Sequence, residues 1–405
     1  MGPKRVLYVE NDYGNVGGSV LSLHRLVSHL DRERFEPFVT FAVDSPSPMV
    51  AEFEAIGCGI VRLGRRLVRP SLPPPSRGPF SGARRRALSL AHTLRRLGFS
   101  DLPRGLRLTR ILRERRIDLV HTNTNTAADL FAIAAARAAG VPVVAHQRAF
   151  GRPPKPLRWL VRSVAASLSI SEAIRRDVLA HTRPRRALVV YNGVEIPEVA
   201  PAFRPLPAQP RIASIGRLVP WKGHHVFLRA AARLAREVPG ARFLVVGGPV
   251  SDEDRAYEAE LLDLGRELGL EGRVAFLGHV PDVAKRIGED FDVVVHAAVE
   301  PEPFGLVLVE AMVAGRPILA SDHGACPEIV VPGESGLLYE AGSAEALADA
   351  LLRLLTTDGL AEQLAKGGFE RARERFDIRR VAREVQDVYA EVLAGADSAK
   401  AAPPA

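Results

Sequence analysis

The chain has 405 residues, of which 47% are hydrophobic and 25% charged, and these values are ordinary for a soluble globular protein of two or more domains. Its two cysteines, Cys58 and Cys326, lie far apart in sequence, which argues against a disulfide framework and favours a reducing compartment. The sequence has neither a signal-peptide pattern at its start nor a run of about 18 apolar residues. We therefore expect a cytoplasmic location and no membrane span.

The net charge of +8 is concentrated between residues 62 and 116, where arginines greatly outnumber the two acidic residues, Asp101 and Glu114. A basic block of this kind suits an anionic membrane surface, an acidic substrate or nucleic acid, or it is only a solvated face. Nucleic acid is the weakest of these partners, because the block lacks interleaved aromatic residues on which bases could stack. Residues 88–96 have the spacing of a basic amphipathic helix that lies on a membrane.

The first predicted strand, residues 5–12, leads into a glycine-rich loop and a helix. Gly17 and Gly18 precede Ser19, which is a suitable helix N-cap. Because glycines have no side chain, a phosphate could approach the amides at the start of this helix. Together with Gly14 they do not form the G-x-G-x-x-G pattern, so the sequence disfavours a nicotinamide oxidoreductase.

Two later strands are predicted to end in polar residues. Residues 117–124 run from IDLV into a polar loop, and residues 141–150 read VPVVAHQRAF. Ligands bind at the carboxyl ends of strands in open α/β sheets. His121, His146 and Arg148 are therefore candidate ligand-binding residues, although each histidine could equally be a structural residue bonded to backbone.

Strands alternate with helices in both halves of the chain, which predicts an α/β protein with two Rossmann-like domains, built on parallel sheets and facing each other across a cleft. An Asn-Gly turn followed by closely spaced prolines marks the boundary between them. The predicted domains are residues 1–196 and 211–375, joined by a linker at residues 197–210. Residues 376–395 are expected to form a final helix, and residues 396–405 a disordered tail.

The second domain opens with a strand that runs into Gly216 and Arg217, and Lys222 follows in the next loop. Arg217 and Lys222 thus place two cations at the carboxyl end of a strand, where they could compensate the charge of a diphosphate. They could also be solvated loop charges.

Asp252 and Asp254 stand at the start of a later helix with D-x-D spacing, a pattern whose two carboxylates can bind a divalent metal. Acidic residues in this position usually act as helix caps that the macrodipole favours. We expect the capping role, with metal binding as the alternative.

Residues 293–314, VVVHAAVEPEPFGLVLVEAMVA, predict a buried strand, a loop and a helix. Eight residues of helix rise about 12 Å, so a helix beginning near Phe304 would let Glu302 and Glu310 face one side, about a sugar diphosphate apart. The amides of Phe304, Gly305 and Leu306 would form its anion-binding N-terminus. An acidic loop before an ordinary amphipathic helix would give the same pattern.

This stretch resembles the Glu-x7-Glu motif of the family 4 retaining glycosyltransferases, and Glu-Pro-Phe-Gly identifies Glu302 as its first glutamate. GRLVPWKG, residues 216–223, is similar to the Gly-Arg and Lys-Gly pattern of that family, and the Gly-Gly loop, the Asn-Gly-Val turn and residues 324–328 follow it too. The resemblance covers nearly the entire chain.

The resemblance implies the GT-B fold, in which the last helix crosses back to the first domain. It also implies transfer of a hexose from a nucleoside diphosphate sugar to an acceptor hydroxyl with retention of configuration, in cell-surface polysaccharide or glycolipid synthesis. The nucleotide sugar would be a co-substrate, and neither a metal nor another cofactor is expected. The acceptor would be a glycan, a lipid-linked saccharide or a small molecule, and the basic segment could hold the enzyme at the inner membrane face.

The family's residue roles can be transferred to the matching positions. Glu302 would contact the donor sugar and Glu310 the ribose, while the backbone of His279 and Val280 would lie against the base. Arg217 and Lys222, with amides near Gly18 and Gly305, would stabilise the leaving diphosphate. The acceptor side would include His121, His146 or Arg148.

Two other readings fit parts of the sequence. A metal-dependent glycosyltransferase using Asp252 and Asp254 would lose activity with a chelator. A noncatalytic module that binds a nucleotide sugar or glycan would bind its ligand tightly without turnover.

Overall fold

The computed structural model describes residues 2–10, 17–41, 48–63 and 101–401. These residues form two compact units. The first contains the chain up to Ile170, Ile174–Val190 and the residues from Ala382 onward, and the second contains Ser171–Ala173 and Tyr191–Val381. The division after Val190 comes earlier than the boundary predicted from sequence, and the predicted linker belongs to the second unit. Most of the basic segment 62–116, including the amphipathic helix predicted at residues 88–96, lies outside the described residues.

The first unit is a parallel sheet of seven strands among the described residues, in the order β3-β2-β1-β4-β5-β6-β7. The strands are β1 (Lys4–Glu10), β2 (Phe35–Phe41), β3 (Gly59–Ile60), β4 (Leu119–Thr122), β5 (Val143–Gln147), β6 (Ala166–Ser169) and β7 (Ala187–Val189). The helices are α1 (Gly18–Ser28), α2 (Met49–Ala55), α3 (Leu102–Glu114), α4 (Leu130–Ala139), a 3-10 segment (Lys155–Ser163) and α5 (Glu172–His181).

The second unit repeats this plan with six described strands in the order β10-β9-β8-β11-β12-β13. The strands are β8 (Arg211–Ile215), β9 (Arg242–Val246), β10 (Val274–Gly278), β11 (Val293–His296), β12 (Ile318–Ser321) and β13 (Leu337–Tyr339). The helices are a 3-10 turn (Pro220–Lys222), α6 (His224–Glu237), α7 (Asp252–Glu267), α8 (Val283–Asp290), α9 (Leu306–Val313), α10 (Cys326–Ile329), α11 (Ala344–Thr356) and α12 (Leu360–Arg375).

The composition of the central strands explains both sheets. All four residues of β11, VVVH, are buried, as expected for a strand of a parallel sheet covered on both faces. In each unit the strand order reverses beside the first strand, between β1 and β4 and between β8 and β11. Open α/β sheets bind ligands outside the carboxyl ends of the strands at this reversal. The fold therefore directs attention to the residues after β1, β4, β8 and β11.

The last helix, α13 (Ile378–Ala401), corrects one expectation from the sequence. Residues 396–401 are helical, whereas the sequence analysis predicts a disordered tail from residue 396. The run ADSAKA continues the helix because alanine and lysine have high helix propensity and no glycine or proline interrupts them. Residues 402–405 lie outside the described part of the chain.

Within the first unit, α13 is fixed to the sheet through Tyr389. Its hydroxyl lies 2.7 Å from Nδ1 of His121 on β4 and 3.3 Å from the hydroxyl of Tyr8 on β1. The three side chains are completely buried, and Phe35 packs edge-on against Tyr389. Buried polar groups need such partners, because an unpaired one loses its hydration without compensation.

We predict that Tyr389→Phe destabilises the first unit by about 1–3 kcal/mol, because Nδ1 of His121 is left buried without its partner. The matched control is Tyr257→Phe in the second unit, whose hydroxyl lies 2.8 Å from Nδ1 of His225. His225 is only half-buried, so water can replace the lost hydroxyl there. Urea unfolding followed by hydrogen exchange of β1 measures the difference, and equal losses in the two variants would contradict this assignment.

Candidate functional site

The candidate site lies where the strand order of the second unit reverses. Strands β8 and β11 are paired in parallel, with Ile212 beside Val293 and Ser214 beside Val295. The loop that begins at Gly216 therefore leaves the sheet close to His296 at the end of β11. Adjacent carboxyl ends bring together residues that are about 80 positions apart in the chain, as expected at a reversal of strand order.

Glu302 is the centre of this site. Its Oε2 atom accepts a hydrogen bond of 2.6 Å from Nζ of Lys222 and lies 2.9 Å from Nε2 of His296. The three side chains are 8%, 16% and 1% exposed, respectively. A buried carboxylate needs compensation of this kind, since an unpaired charge in a protein interior is very costly.

The charges in this group reinforce one another. Burial alone would raise the pKa of Glu302, but the charge of Lys222 and the hydrogen bond from His296 hold that pKa well below its usual range. Burial alone would lower the pKa of His296, but the Cys326 sulfur and the Glu302 carboxylate raise it to about 9. Glu302 is therefore an anion and His296 a cation at neutral pH.

The position of Lys222 is set by a tight backbone turn. The 3-10 turn Pro220–Lys222 ends at Gly223, whose φ of 70° favours glycine. A Cβ atom at Gly223 would lie 1.8 Å from the carbonyl oxygen of Ala297, so only glycine allows this approach. The amide of Val299 also donates to the carbonyl of Trp221, and Nζ of Lys222 lies 4.3 Å from the centre of the Trp221 indole. The turn thus places the ammonium group against the loop of Glu302.

His224, the first residue of α6, is hydrogen-bonded to the loop that precedes it. Its Nδ1 lies 3.0 Å from Oγ of Ser214, and its Nε2 lies 3.2 Å from the carbonyl oxygen of Arg217. Burial lowers the pKa of His224 to about 4, so the ring is neutral at physiological pH. It holds the backbone at Arg217, while the Arg217 side chain is exposed.

The loop after Glu302 ends in the N-terminus of α9. The helix begins at Leu306 rather than near Phe304, because its N-cap Gly305 has a φ of 91°, which is outside the helical region. Phe304 is buried, and Glu310 is the fifth residue of the helix and half-buried. The amides after Gly305 start an α-helix, where unpaired N–H groups and the macrodipole favour an anion.

A second loop packs its backbone directly against Glu302. Gly324 has a φ of 64°, and a Cβ atom there would lie 2.3 Å from the amide nitrogen of Glu302. The amide of Ala325 donates to the Glu302 carbonyl. Glu328, on α10, accepts hydrogen bonds from the amides of Glu172 and Ala173, which lie in the short segment Ser171–Ala173 that belongs to the second unit.

The residues predicted to contact the base are less enclosed than Glu302. His279 is exposed and Val280 half-buried, and the amide of His279 passes so close to Gly248 that a Cβ there would lie 3.1 Å from it.

Asp254 accepts a hydrogen bond from the Val250 amide, while Ser251 caps α7 by accepting one from the Asp254 amide. Asp254 therefore takes part in the helix cap that the sequence predicts, whereas the Asp252 side chain is fully exposed.

A second polar cluster lies where the strand order of the first unit reverses. Gly17 and Gly18 open α1, and the hydroxyl of the next residue, Ser19, lies 3.1 Å from Oε2 of Glu10 at the end of β1. Asn123, after β4, donates to the same oxygen at 2.5 Å. Its Oδ1 accepts a hydrogen bond of 2.6 Å from Nε of Arg148.

The three residues predicted for the acceptor side differ in their surroundings. Arg148 is buried, and burial lowers its pKa to about 10, while Glu10 opposes that shift, so Arg148 remains charged at neutral pH. His146 lies with Nδ1 3.4 Å from the Arg148 guanidinium, and burial followed by the Arg148 charge lowers its pKa well below the usual range. His121 is enclosed with Tyr389 and Tyr8, as described for α13. All three side chains are buried, and the His121 ring packs edge-on against the His146 ring with their centres 5.3 Å apart, so the structure brings the three residues together.

His296, Glu10 and Asn123 are not among the site residues predicted from the sequence. Each stands at or directly after the carboxyl end of an observed strand, and a polar residue at such a strand end is the signal that points to them. Within the part of the chain that the structure describes, no three His, Cys, Asp or Glu side chains are grouped to hold a metal ion. The described helices also include none long and apolar enough to cross a bilayer.

We predict that Gly324→Ala lowers the thermal midpoint much more than Gly333→Ala. Both glycines have positive φ, 64° and 79°, so both variants carry a backbone cost of about 1 kcal/mol. Only the Gly324 variant drives a methyl group into the Glu302 backbone, since a Cβ at Gly333 meets no atom within 4 Å. Thermal unfolding measures both, and similar midpoints would show that the loop yields without cost.

Comparison with known proteins extends these observations. Residues 16–197 match the family model described as glycosyltransferase family 4, and residues 200–371 match that described as glycosyl transferases group 1. The phosphatidyl-myo-inositol mannosyltransferase of Mycobacterium leprae is 30% identical over 342 residues, which cover 81% of this chain and 88% of that protein. A D-inositol 3-phosphate glycosyltransferase of Nocardia farcinica is 39% identical over 153 residues, 37% of this chain and a smaller part, 33%, of that protein.

The fold is shared with solved structures. HepE of Anabaena, crystallised in complex with UDP-glucose, aligns over 96% of this chain and 99% of its own with a TM-score of 0.74. At 23% identity this likeness concerns the fold, and the two parallel-sheet α/β domains are those of GT-B glycosyltransferases. Two adjoining family models and a relative aligned over most of its length show that the chain belongs to glycosyltransferase family 4, whose members transfer sugars.

Proposed function

We propose that this protein transfers a hexose from a nucleoside diphosphate sugar to an acceptor hydroxyl with retention of configuration. The observation that carries the proposal is the buried carboxylate of Glu302, held by Lys222 and His296 beside the N-terminus of α9. An ionised carboxylate accepts hydrogen bonds from sugar hydroxyls, and the cations beside it can receive a diphosphate. The site thus has groups suited to both parts of a nucleotide sugar.

The diphosphate would be stabilised mainly by the second unit. Lys222 supplies a fixed ammonium group, Arg217 an exposed guanidinium on the adjoining loop, and the amides after Gly305 a helix N-terminus. Breaking the glycosidic bond adds negative charge to the diphosphate oxygens. Groups that are already oriented toward that charge lower the barrier without reorganising, which is electrostatic catalysis. The amides near Gly18 would add a similar contribution.

The remaining donor contacts follow from the same arrangement. Glu302 would hold sugar hydroxyls, Glu310 the ribose hydroxyls, and the backbone at His279 and Val280 the base. Two comparisons support this class of donor: HepE was crystallised with UDP-glucose, and the relative from Mycobacterium leprae is named a mannosyltransferase.

We propose that the reaction needs no metal ion. Of the acidic pair with D-x-D spacing, Asp254 is engaged at the start of α7, where it accepts a hydrogen bond from the Val250 amide. Cationic side chains and amides would instead balance the diphosphate. Retention would follow from attack on the same face that the diphosphate leaves, with a diphosphate oxygen helping to remove the proton of the acceptor hydroxyl.

The acceptor would bind to the first unit, with Arg148 and His146 as its polar contacts. Asn123 orients the Arg148 guanidinium through its Nε, and a terminal nitrogen of that guanidinium lies 3.4 Å from Nδ1 of His146. A cation at this position favours an acceptor that carries negative charge. A glycan or lipid-linked saccharide in polysaccharide or glycolipid synthesis would fit, with the enzyme in the cytoplasm and at the inner membrane face.

We predict that Glu302→Gln and Lys222→Ala each reduce transfer to background while the protein stays folded. The first change removes the anion that holds the sugar, and the second removes the cation that receives the diphosphate. Glu300→Gln is the matched control, because Glu300 is an exposed glutamate two residues away in the same loop. Initial rates and circular dichroism test this, and a near-normal rate in either site variant would refute the assignment.

A thermal-shift screen identifies the donor and separates catalysis from binding alone. UDP, GDP, ADP and TDP, with their common sugars, are compared with and without a chelator. A ligand that binds only the folded state raises the thermal midpoint by mass action. We expect one nucleotide family to raise it by several degrees, independently of chelator, for the wild type and much less for Lys222→Ala. Tight binding with no turnover on any acceptor would favour a noncatalytic binding module, and a shift that requires metal would contradict metal independence.

A surface of the first unit supports the proposed membrane contact. Leu102 and Leu106 on α3 are 59% and 64% exposed, and Trp159 on the 3-10 segment is 53% exposed. Arg107 and Arg162 are exposed on the same two segments. Apolar side chains among basic residues suit the surface of an anionic bilayer.

We predict that the wild type floats with liposomes that contain anionic lipid and that the double variant Leu102→Gln, Leu106→Gln floats markedly less. Removing two apolar anchors lowers the burial energy at the bilayer surface. Leu262→Gln, at a 41% exposed leucine of the second unit, is the control. Flotation that is independent of anionic lipid, or equal among the three proteins, would remove membrane contact from the proposal.

A further inference from the structure

The two oxygens of the Glu302 carboxylate have different surroundings. Oε2 has two close donors, Lys222 at 2.6 Å and His296 at 2.9 Å. Oε1 accepts no hydrogen bond from the described residues. It is also absent from the side-chain atoms that are fully buried without a partner, so Oε1 keeps some contact with solvent. One oxygen is therefore fixed by protein cations, and the other remains open to a ligand.

His296 is itself fixed from several directions. His296 is the last residue of β11, and its side chain is 1% exposed. Nδ1 lies 3.7 Å from the Cys326 sulfur at the start of α10, and the Tyr339 hydroxyl on β13 donates to the His296 carbonyl. Among the described residues, the ionisable groups beside His296 come from separate elements: Glu302, Cys326, Tyr339 and His224, with Lys222 bonded to the same Glu302 oxygen.

We propose that His296 is the positioning residue of Glu302: a buried imidazolium that holds Oε2 in place so that Oε1 faces the donor sugar. This inference rests on the function proposed above. Lys222 alone could not fix the carboxylate in this way, because one ammonium group allows the carboxylate to rotate about the shared hydrogen bond. Two donors on one oxygen from different directions define both its place and the plane of the group. The charge of the ring matters as well, since it keeps Glu302 ionised inside the protein.

The charge of the imidazolium has a second consequence. Lys222 and His296 are two cations beside the Glu302 carboxylate, and both would attract an incoming diphosphate. A neutral hydrogen-bond donor in place of His296 would preserve the contact with Oε2 and remove one of these two positive charges.

The charge state of His296 can be measured without substrate. In protein labelled with 15N-histidine, the ring signals that disappear in His296→Gln belong to His296. We expect an imidazolium that titrates near pH 9 in the wild type. In Glu302→Gln its pKa should fall by about one unit or more, because the opposite charge within hydrogen-bond distance is gone. A neutral His296 ring at pH 7, or a pKa unchanged in Glu302→Gln, would overturn the proposal.

Kinetics test whether the ring acts through Glu302. A side-chain amide at position 296 can still donate a hydrogen bond to Oε2, whereas a methyl group cannot. We therefore expect kcat to fall about 10- to 100-fold in His296→Gln and further in His296→Ala. The donor KM should change less than kcat in both variants. The wild-type rate should fall above pH 9, and this alkaline limb should be absent from His296→Gln. His225→Gln, the same substitution at a histidine on α6 bonded to Tyr257, should leave rate and profile unchanged.

Stability gives an independent measurement. Because the pKa of His296 is raised in the folded protein, the stability that it contributes is fully present below its unfolded pKa near 6.5 and is lost as pH rises through about 9. The wild type should therefore lose more stability than His296→Gln between pH 6.5 and 9.5. Equal losses would count against a buried imidazolium.

These measurements distinguish a failure of the positioning role of His296 from a failure of the proposed function. If the protein neither binds nor turns over any nucleotide sugar while His296 titrates near pH 9, the proposed function fails and the pairing of His296 with Glu302 stands. If transfer occurs and both His296 variants keep wild-type kcat with an unchanged alkaline limb, the positioning role fails and the proposed function stands.

Discussion

The second unit depends on one buried anion. A carboxylate as enclosed as Glu302 is tolerated only because Lys222 and His296 both contact the same oxygen. Removing one partner of a buried pair typically costs about 3–5 kcal/mol, because a charge is left uncompensated. The three residues come from a turn, a strand end and a loop that are distant in sequence, so the sheet must fold in its correct strand order before the charge is compensated.

Close contact between backbones makes this arrangement rigid. A Cβ atom at Gly223 would meet the Ala297 carbonyl at 1.8 Å, one at Gly247 would meet the Gly216 carbonyl at 1.8 Å, and one at Gly324 would meet the Glu302 amide at 2.3 Å. In each case φ is positive, so glycine is required by conformation and by space together. Loops packed in this way hold their side chains more precisely than mobile surface loops do, so Lys222 and Glu302 keep a fixed relative position.

The sequence was informative where a local pattern carries the chemistry and less so where contacts are long-range. Two parallel-sheet domains followed from alternating strands and helices, and Lys222 and Glu302 from short motifs at loop positions. His296 escaped notice because a histidine that ends a buried strand has no local signature, and only the pairing of β8 with β11 brings it to Lys222. His121 was selected as a ligand-binding candidate at a strand end, yet it is packed against Tyr389, a contact across 268 positions that no local pattern predicts.

The two units have a similar buried carboxylate, but its oxygens are engaged to different extents. At the reversal of strand order, each has a buried carboxylate with polar partners: Glu10 with Ser19 and Asn123 in the first, Glu302 with two cations in the second. The Ser19 hydroxyl lies within 3.4 Å of both Glu10 oxygens, so that carboxylate is engaged in holding α1 and Asn123. Glu302 keeps one oxygen open. A carboxylate whose two oxygens are both engaged with protein organises the fold, whereas one fixed through a single oxygen can hold its place and still receive a ligand.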